Sequence, residues 1–131
     1  MFVDASAFVA MIAEELGWER YAAKIEGWDD VITSPLALWE AIVALTRHRS
    51  GDFDGARTLV ESYLATNNIR VLPITAEIGV LAIEASKRYG RGRHPASLNF
   101  GDCFAYACAR HHGVPLLFKG EDFSQTDVET V

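Results

Sequence analysis

The sequence has few cysteines and no long apolar run. Both absences limit the classes of protein to which the chain can belong. Its 131 residues include two cysteines, Cys103 and Cys108, within one predicted helix. This spacing turns their side chains in different directions, so we expect no disulfide. No segment approaches the roughly 20 apolar residues that a membrane span needs, and the N-terminus lacks the basic region of a secretory signal. We therefore expect a cytoplasmic protein without a membrane segment.

The sequence also lacks the short motifs of several enzyme classes. It contains no P-loop, GxGxxG, GxSxG or HExxH motif and no CxxC pair, and His111 and His112 are too poorly spaced for a zinc site. The net charge is -6, which is unfavourable for phosphate binding because that affinity comes from Lys and Arg. Two interpretations stay open. Either the acids gather in a site that binds metal cations, or the chain does not bind nucleic acid.

Short apolar stretches alternate with segments of helical periodicity along the whole chain. The length fits a single domain, 1–131. Predicted strands cover 1–3, 31–34, 70–74 and 115–118, with a further short strand near 128. Predicted helices cover 5–16, 18–28, 35–51, 52–67, 75–89 and 101–112, and 90–98 is a predicted loop. This alternation predicts an α/β fold with a parallel sheet covered on both faces.

Several carboxylates fall at the ends of these predicted elements. Asp4 ends the first strand, Glu40 lies in the first turns of the helix after the second strand, and Asp122 follows the last strand. Ligands of open parallel sheets bind beyond the carboxyl ends of the strands, so these three fit one edge. Asp102 lies in the first turn of its helix and joins them only if that helix begins at the same edge.

A carboxylate cluster of this kind favours metal chemistry. Neighbouring carboxylates raise one another's pKa unless a cation lies among them, and oxygen ligands suit Mg²⁺ or Mn²⁺. Such a site predicts phosphodiester hydrolysis rather than acyl transfer. Each acid can also be explained without a metal site. Asp4 can act as a helix cap, and Asp102 can be a first-turn acid that interacts with the helix dipole. Glu40 can be a solvated helix residue. The apolar neighbours of Glu40 favour a functional role.

Four segments in order carry a family resemblance: MFVDASAFVA, SPLALWEAIVAL, LNFGDCFAYACAR and PLLFKGEDF. Together they resemble the PIN domain and, more narrowly, the VapC-type toxins of bacterial toxin–antitoxin pairs. The resemblance extends over essentially the whole chain. It implies a three-layer α/β/α sandwich with a central, mainly parallel sheet, and an endoribonuclease that depends on Mg²⁺ or Mn²⁺.

The resemblance also implies roles for individual acids. Asp4 and Asp102 match the principal metal ligands, and Glu40 matches the glutamate of the helix after the second strand. A fourth acid usually follows the last core strand, but Gly120 stands at that position here. Asp122 is the closest substitute, with Glu121 as the alternative, and the number of bound metals stays open.

The same resemblance implies a cognate antitoxin as partner, a homodimer, and transfer or ribosomal RNA as substrate. The exposed loop before Asp102 contains Arg91, Arg93 and His94, which are candidates for holding the RNA backbone; the alternative is a solvated basic loop. Two other functions stay open: a housekeeping RNA-processing nuclease without an antitoxin, and a catalytically silent interaction module on the same fold.

Overall fold

A sheet of four short parallel strands lies at the centre of the molecule. A computed structural model describes residues 1–131. The strands are β1 (Phe2–Val3), β2 (Ile32–Thr33), β3 (Arg70–Val71) and β4 (Leu116–Leu117), in the spatial order β3-β2-β1-β4. Phe2 pairs with both Ile32 and Leu116, so β1 is an inner strand. The parallel pairing confirms the predicted sheet.

Six helices surround this sheet. They are α1 (Ala5–Ile12), α2 (Glu19–Glu26), α3 (Pro35–His48), α4 (Phe53–Thr66), α5 (Ala76–Tyr89) and α6 (Phe100–His112). Side-chain caps fix several of their starts, since Ser34 accepts a hydrogen bond from Ala37 N ahead of Pro35, and Thr75 accepts one from Ile78 N. None of the six is both long and apolar enough to cross a bilayer.

Successive residues of each strand have their side chains on opposite faces of the sheet, and each face has its own buried core. Phe2, Ile32 and Leu116 pack into a buried cluster dominated by α5 and α6. Val3 and Leu117, the next residues along their strands, pack into a second cluster with α1 to α4. Helices therefore cover both faces of the sheet, as a parallel sheet requires, and the predicted α/β/α sandwich is confirmed.

The two cysteines are buried in the core on the α6 side. Cys103 and Cys108 are both free. Burial raises the pKa of both thiols, that of Cys108 to about 11, so they behave as small apolar side chains in the packing.

Two details of the helices differ from the sequence prediction. The helical spacing of Phe8, Ile12 and Leu16 predicts that Leu16 lies on the apolar face of the helix over 5–16, but α1 ends at Ile12 and Glu14 has a φ of +50°, which turns the chain away. Leu16 is consequently fully exposed. The helical spacing of Ala56, Leu59, Val60 and Tyr63 predicts that all four face inward; α4 buries Ala56 and Val60, whereas Leu59 is 38% exposed.

The C-terminal segment adds less sheet than predicted. The strand expected near 128 is a single parallel bridge between Leu116 and Thr130. An ion pair between Arg88 and Asp127, together with a 2.6 Å hydrogen bond from the Tyr106 hydroxyl to Asp127, attaches this segment to α5 and α6.

Candidate active site

A pocket of about 370 Å³ opens where β1 ends, and acidic side chains dominate its lining. Its charged residues are Asp4, Glu15, Glu40, Asp102 and Lys119. The predicted trio of Asp4, Glu40 and Asp102 thus comes together from the N-terminal turns of three different helices. Asp102 was expected to join the other acids only if its helix began at their edge of the sheet. The start of α6 does lie at the same edge as the end of β1.

Asp4 is both a helix cap and a site residue. Its backbone is extended, and its Oδ2 accepts hydrogen bonds from the backbone N of Ser6 at 2.9 Å and from the Ser6 hydroxyl at 2.5 Å. The residue is only 5% exposed. Burial raises the pKa of Asp4 although the bonds from Ser6 oppose the shift. Capping and function are therefore compatible explanations of this aspartate.

Asp102 is held by reciprocal hydrogen bonds at the start of α6. Asn99 N donates to Asp102 Oδ2 at 2.8 Å, and Asp102 N donates to Asn99 Oδ1 at 2.9 Å, which together form a capping box. Burial raises the pKa of Asp102 to about 6, and the charges of Asp4 and Asp122 add to that shift. The capping box thus fixes a partly buried carboxylate toward the pocket.

Glu40 lies against the backbone of α6 where Gly101 has no side chain. A Cβ atom placed on Gly101 would be 2.1 Å from Glu40 Oε1. Burial is the main cause that raises the pKa of Glu40 to about 7, and the charges of Asp4 and Asp102 raise it further. The position of this carboxylate therefore depends on a glycine from another element, a contact that the sequence prediction did not identify.

Asp122 lies outside the pocket lining but close enough to influence the acids. Its negative charge raises the pKa of both Asp4 and Asp102. The chain reaches it through Gly120, whose φ is +116° and whose added Cβ would be 3.3 Å from Asp122 Oδ2. Glu121 is exposed and has no such influence on the two acids. Of the two alternatives for a fourth acid, the structure therefore places Asp122 beside the site.

Comparison with known proteins identifies this arrangement. The family model for the PIN domain matches residues 1–129. The chain belongs to the PIN domain family. VapC ribonuclease R02377 of Rhizobium meliloti (strain 1021) is 42% identical, over 97% of this chain and 98% of the relative. Ribonuclease VapC30 of Mycobacterium tuberculosis is 39% identical, over 100% of this chain and 98% of the relative.

Solved structures of similar proteins agree with this PIN fold. VapC20 of Mycobacterium tuberculosis, described as a toxin that cleaves the sarcin-ricin loop, has a TM-score of 0.77 at 24% identity, covering 99% of this chain and 97% of that one. A toxin–antitoxin complex from Klebsiella pneumoniae has a TM-score of 0.70 at 14% identity, covering 99% and 95%. At this level of identity the likeness concerns the fold. Together with the full-length relatives, these findings confirm the predicted family and its enzyme class, a ribonuclease of the VapC type.

The donor set of this PIN domain fits a hard divalent cation. Asp4, Glu40 and Asp102 offer carboxylate oxygens only, which are the ligands that Mg²⁺ and Mn²⁺ prefer. No three His, Cys, Asp or Glu side chains are already grouped closely enough to hold an ion. The three carboxylates nevertheless line one pocket, where the charges of Asp4 and Asp102 raise the pKa of Glu40 and the charge of Asp4 raises the pKa of Asp102. A cation would relieve that repulsion as the side chains move toward it.

The raised pKa of Glu40 leads to a prediction about metal-free stability. Folding favours its protonated form, so ionisation of Glu40 lowers the stability of the native state as pH rises from about 4.5 to about 7. We expect Glu40→Gln to leave the free energy of unfolding unchanged near pH 4. Above pH 7 the substitution should raise it by about 1–2 kcal/mol, a value reduced for solvent screening. Urea denaturation in EDTA across this range measures the difference, and a constant difference would contradict the assignment.

The basic loop places its three candidates differently. Arg91 and Arg93 are exposed, and the charge of Arg91 lowers the pKa of Asp102, so Arg91 lies near this one acid although it does not line the acidic pocket. His94 Nδ1 accepts a hydrogen bond from Ala96 N at 3.1 Å, and its ring packs edge-on against Tyr89 with centroids 5.1 Å apart. His94 therefore helps to shape the loop from which the arginines extend.

Several supporting residues of the site were not predicted from the sequence. Two had local signals: Ser6 follows Asp4 by two positions, as in an Asx turn, and Asn99 precedes Asp102 by three, as in a capping box. Glu15 and Lys119 had no signal, because 104 residues separate these two ion-pair partners.

Proposed function

We propose that this PIN domain is the endoribonuclease toxin of a toxin–antitoxin pair and depends on Mg²⁺ or Mn²⁺. The observation that carries the proposal is the acidic pocket, where carboxylates from three separate helices meet with raised pKa values. Such a pocket is costly for folding and is explained by the binding of a divalent cation. The full-length relatives named VapC ribonuclease support the same function.

Individual residues take distinct roles in this mechanism. Asp4 and Asp102 are the principal metal ligands, Glu40 is a third, and Asp122 completes the site from the loop after β4. When bound there, a divalent cation would lower the pKa of a coordinated water and neutralise charge on the phosphoryl group. Glu40 lines the same pocket, where its carboxylate would help to hold the cation and orient the attacking water. Ser6 and Asn99 hold the two aspartates in place.

The experiment that tests this function uses purified chain, free of any antitoxin, and total RNA. We expect cleavage of transfer or ribosomal RNA at defined positions with Mg²⁺ or Mn²⁺, and none in EDTA. Sequencing the new RNA ends identifies the substrate. Intact RNA under all conditions would contradict the nuclease function and favour the catalytically silent module.

The basic loop gives a prediction about substrate binding. Replacing Arg91 and Arg93 together with alanine removes two exposed positive charges from the loop, and the charge of Arg91 is close enough to Asp102 to lower the pKa of that carboxyl. We expect weaker RNA binding and a binding constant that depends less on salt, because each lost phosphate contact removes about 0.7 from the salt slope on single strands. Fluorescence anisotropy in EDTA measures both quantities. Unchanged binding and slope would show that the loop is merely solvated.

A cognate antitoxin and a second copy of the chain are the proposed protein partners. Solved structures with this fold include a toxin–antitoxin complex. Large apolar side chains are exposed on α5 and at the start of α6, where Val80, Ile83 and Phe100 are 60%, 68% and 69% exposed; we propose this surface for the homodimer. Light scattering that gives the mass of one chain would contradict the dimer.

A housekeeping nuclease of the same fold differs from a toxin in having no antitoxin. Co-expression with the product of a small neighbouring reading frame separates the two. A toxin should arrest growth alone and be neutralised by that product, whereas a housekeeping nuclease should do neither.

A further inference from the structure

Lys119 is the one basic side chain that lines the acidic pocket. Its amine forms an ion pair with Glu15, which follows the end of α1. Its backbone N donates to the Ser6 hydroxyl at 3.0 Å, and that hydroxyl donates to Asp4 at 2.5 Å. Lys119 is thus attached to the acid site both through its backbone and through its side chain.

The charges that line the pocket indicate a function for Lys119. Four carboxylates line the pocket, so an anionic phosphate that enters it without a bound cation meets repulsion. Lys119 is the only lining residue that offers a positive charge of its own. Its side chain is 40% exposed and that of Glu15 is 26% exposed, so the amine remains accessible to a ligand while Glu15 restricts its position. A lysine amine binds phosphate oxygens as a point charge.

We propose that Lys119 is a catalytic residue that binds phosphate, its amine contacting a non-bridging oxygen of the RNA backbone at the acid site. Glu15 is the positioning residue that holds this amine at the pocket wall. The inference rests on the proposed ribonuclease function and adds a recognition group for the substrate. It also explains how a chain of net charge -6 accepts an anion at a pocket lined by carboxylates.

Two variants separate phosphate binding from a purely structural ion pair. Lys119→Gln and Glu15→Gln both break the pair, but only the first removes the positive charge. Binding of a fluorescein-labelled oligouridylate is measured in EDTA at several salt concentrations. For Lys119→Gln we expect weaker binding and a salt slope shallower by about 0.7; for Glu15→Gln the slope should stay at the wild-type value. Lys119→Arg should restore the slope, and Lys24→Gln, which removes a charge on α2 outside the pocket, serves as the matched control.

Cleavage of RNA with Mg²⁺ provides the second readout. We expect kcat/KM of Lys119→Gln to fall by about 100-fold, with Lys119→Arg close to wild type. A wild-type slope for Lys119→Gln, or equal losses in Lys119→Gln and Glu15→Gln, would overturn the inference while wild-type cleavage leaves the proposed function intact. A wild-type protein that neither binds nor cleaves RNA would overturn both.

Discussion

Asp4→Asn is expected to lower kcat/KM for RNA cleavage by at least about 1000-fold, equivalent to about 4 kcal/mol of transition-state stabilisation. The substitution removes the charge of a principal metal ligand and keeps the volume of the side chain. Asparagine is as good a helix cap as aspartate, so its Oδ1 can still accept the hydrogen bonds that Ser6 donates to Asp4. Removing a buried carboxylate with a raised pKa should also leave the metal-free fold at least as stable.

The matched control for this substitution is Asp52→Asn. Asp52 caps α4 by accepting a hydrogen bond from Gly55 N at 2.9 Å, and it is exposed away from the pocket. We expect wild-type cleavage from this variant. Normal cleavage by Asp4→Asn, or an equal loss in both variants, would contradict the role of Asp4.

Gly101→Ala is expected to lower kcat/KM by about 100-fold while the protein stays folded. The new Cβ would be 2.1 Å from Glu40 Oε1 and 2.5 Å from its Cδ. These atoms lie at the end of a flexible side chain, so Glu40 can swing away at little cost to the fold. Alanine also favours the helical conformation by about 1 kcal/mol over glycine. The predicted result is a stable protein whose third acid has left the site.

A second glycine in a helix serves as the control. Gly79 lies within α5, and a Cβ added there meets nothing within 4 Å. Gly79→Ala should therefore gain about 1 kcal/mol of stability and cleave RNA at the wild-type rate. Thermal unfolding and cleavage kinetics of both variants measure the contrast.

A double variant then tests whether the loss acts through Glu40. If Gly101→Ala works only by displacing that carboxylate, adding Glu40→Gln should cause little further loss beyond Glu40→Gln alone. Fully additive losses would show that the alanine disturbs another part of the site.

The fold was predictable where its signals are local. The Ser34-Pro35 start of α3 and the Thr75 cap of α5 each depend on residues within one turn of the helix. Leu16 shows what apolar periodicity cannot predict. It continues the apolar stripe of the sequence, but the helix ends before it, where Glu14 has a positive φ, and Leu16 is exposed.

The candidate site was predictable only in part, because its contacts join distant segments. The predicted strand ends were enough to place Asp4 and Glu40 in the site. Asp102 could be placed there only from the family resemblance, because the sequence alone does not show at which edge of the sheet α6 begins. The contact between Glu40 and Gly101 and the ion pair of Glu15 with Lys119 exist only after the layers have packed. Supporting residues of this kind can be identified only from the structure.

The central claim is that the acidic pocket binds the divalent cation on which RNA cleavage depends. The most direct test titrates Mn²⁺ into wild type and Asp4→Asn with RNA present, following free Mn²⁺ by electron paramagnetic resonance and cleavage in the same samples. We predict that wild-type cleavage rises in proportion to bound Mn²⁺, and that Asp4→Asn shows neither tight binding nor cleavage. Cleavage by the wild type without bound metal, or tight binding and cleavage by Asp4→Asn, would contradict the claim.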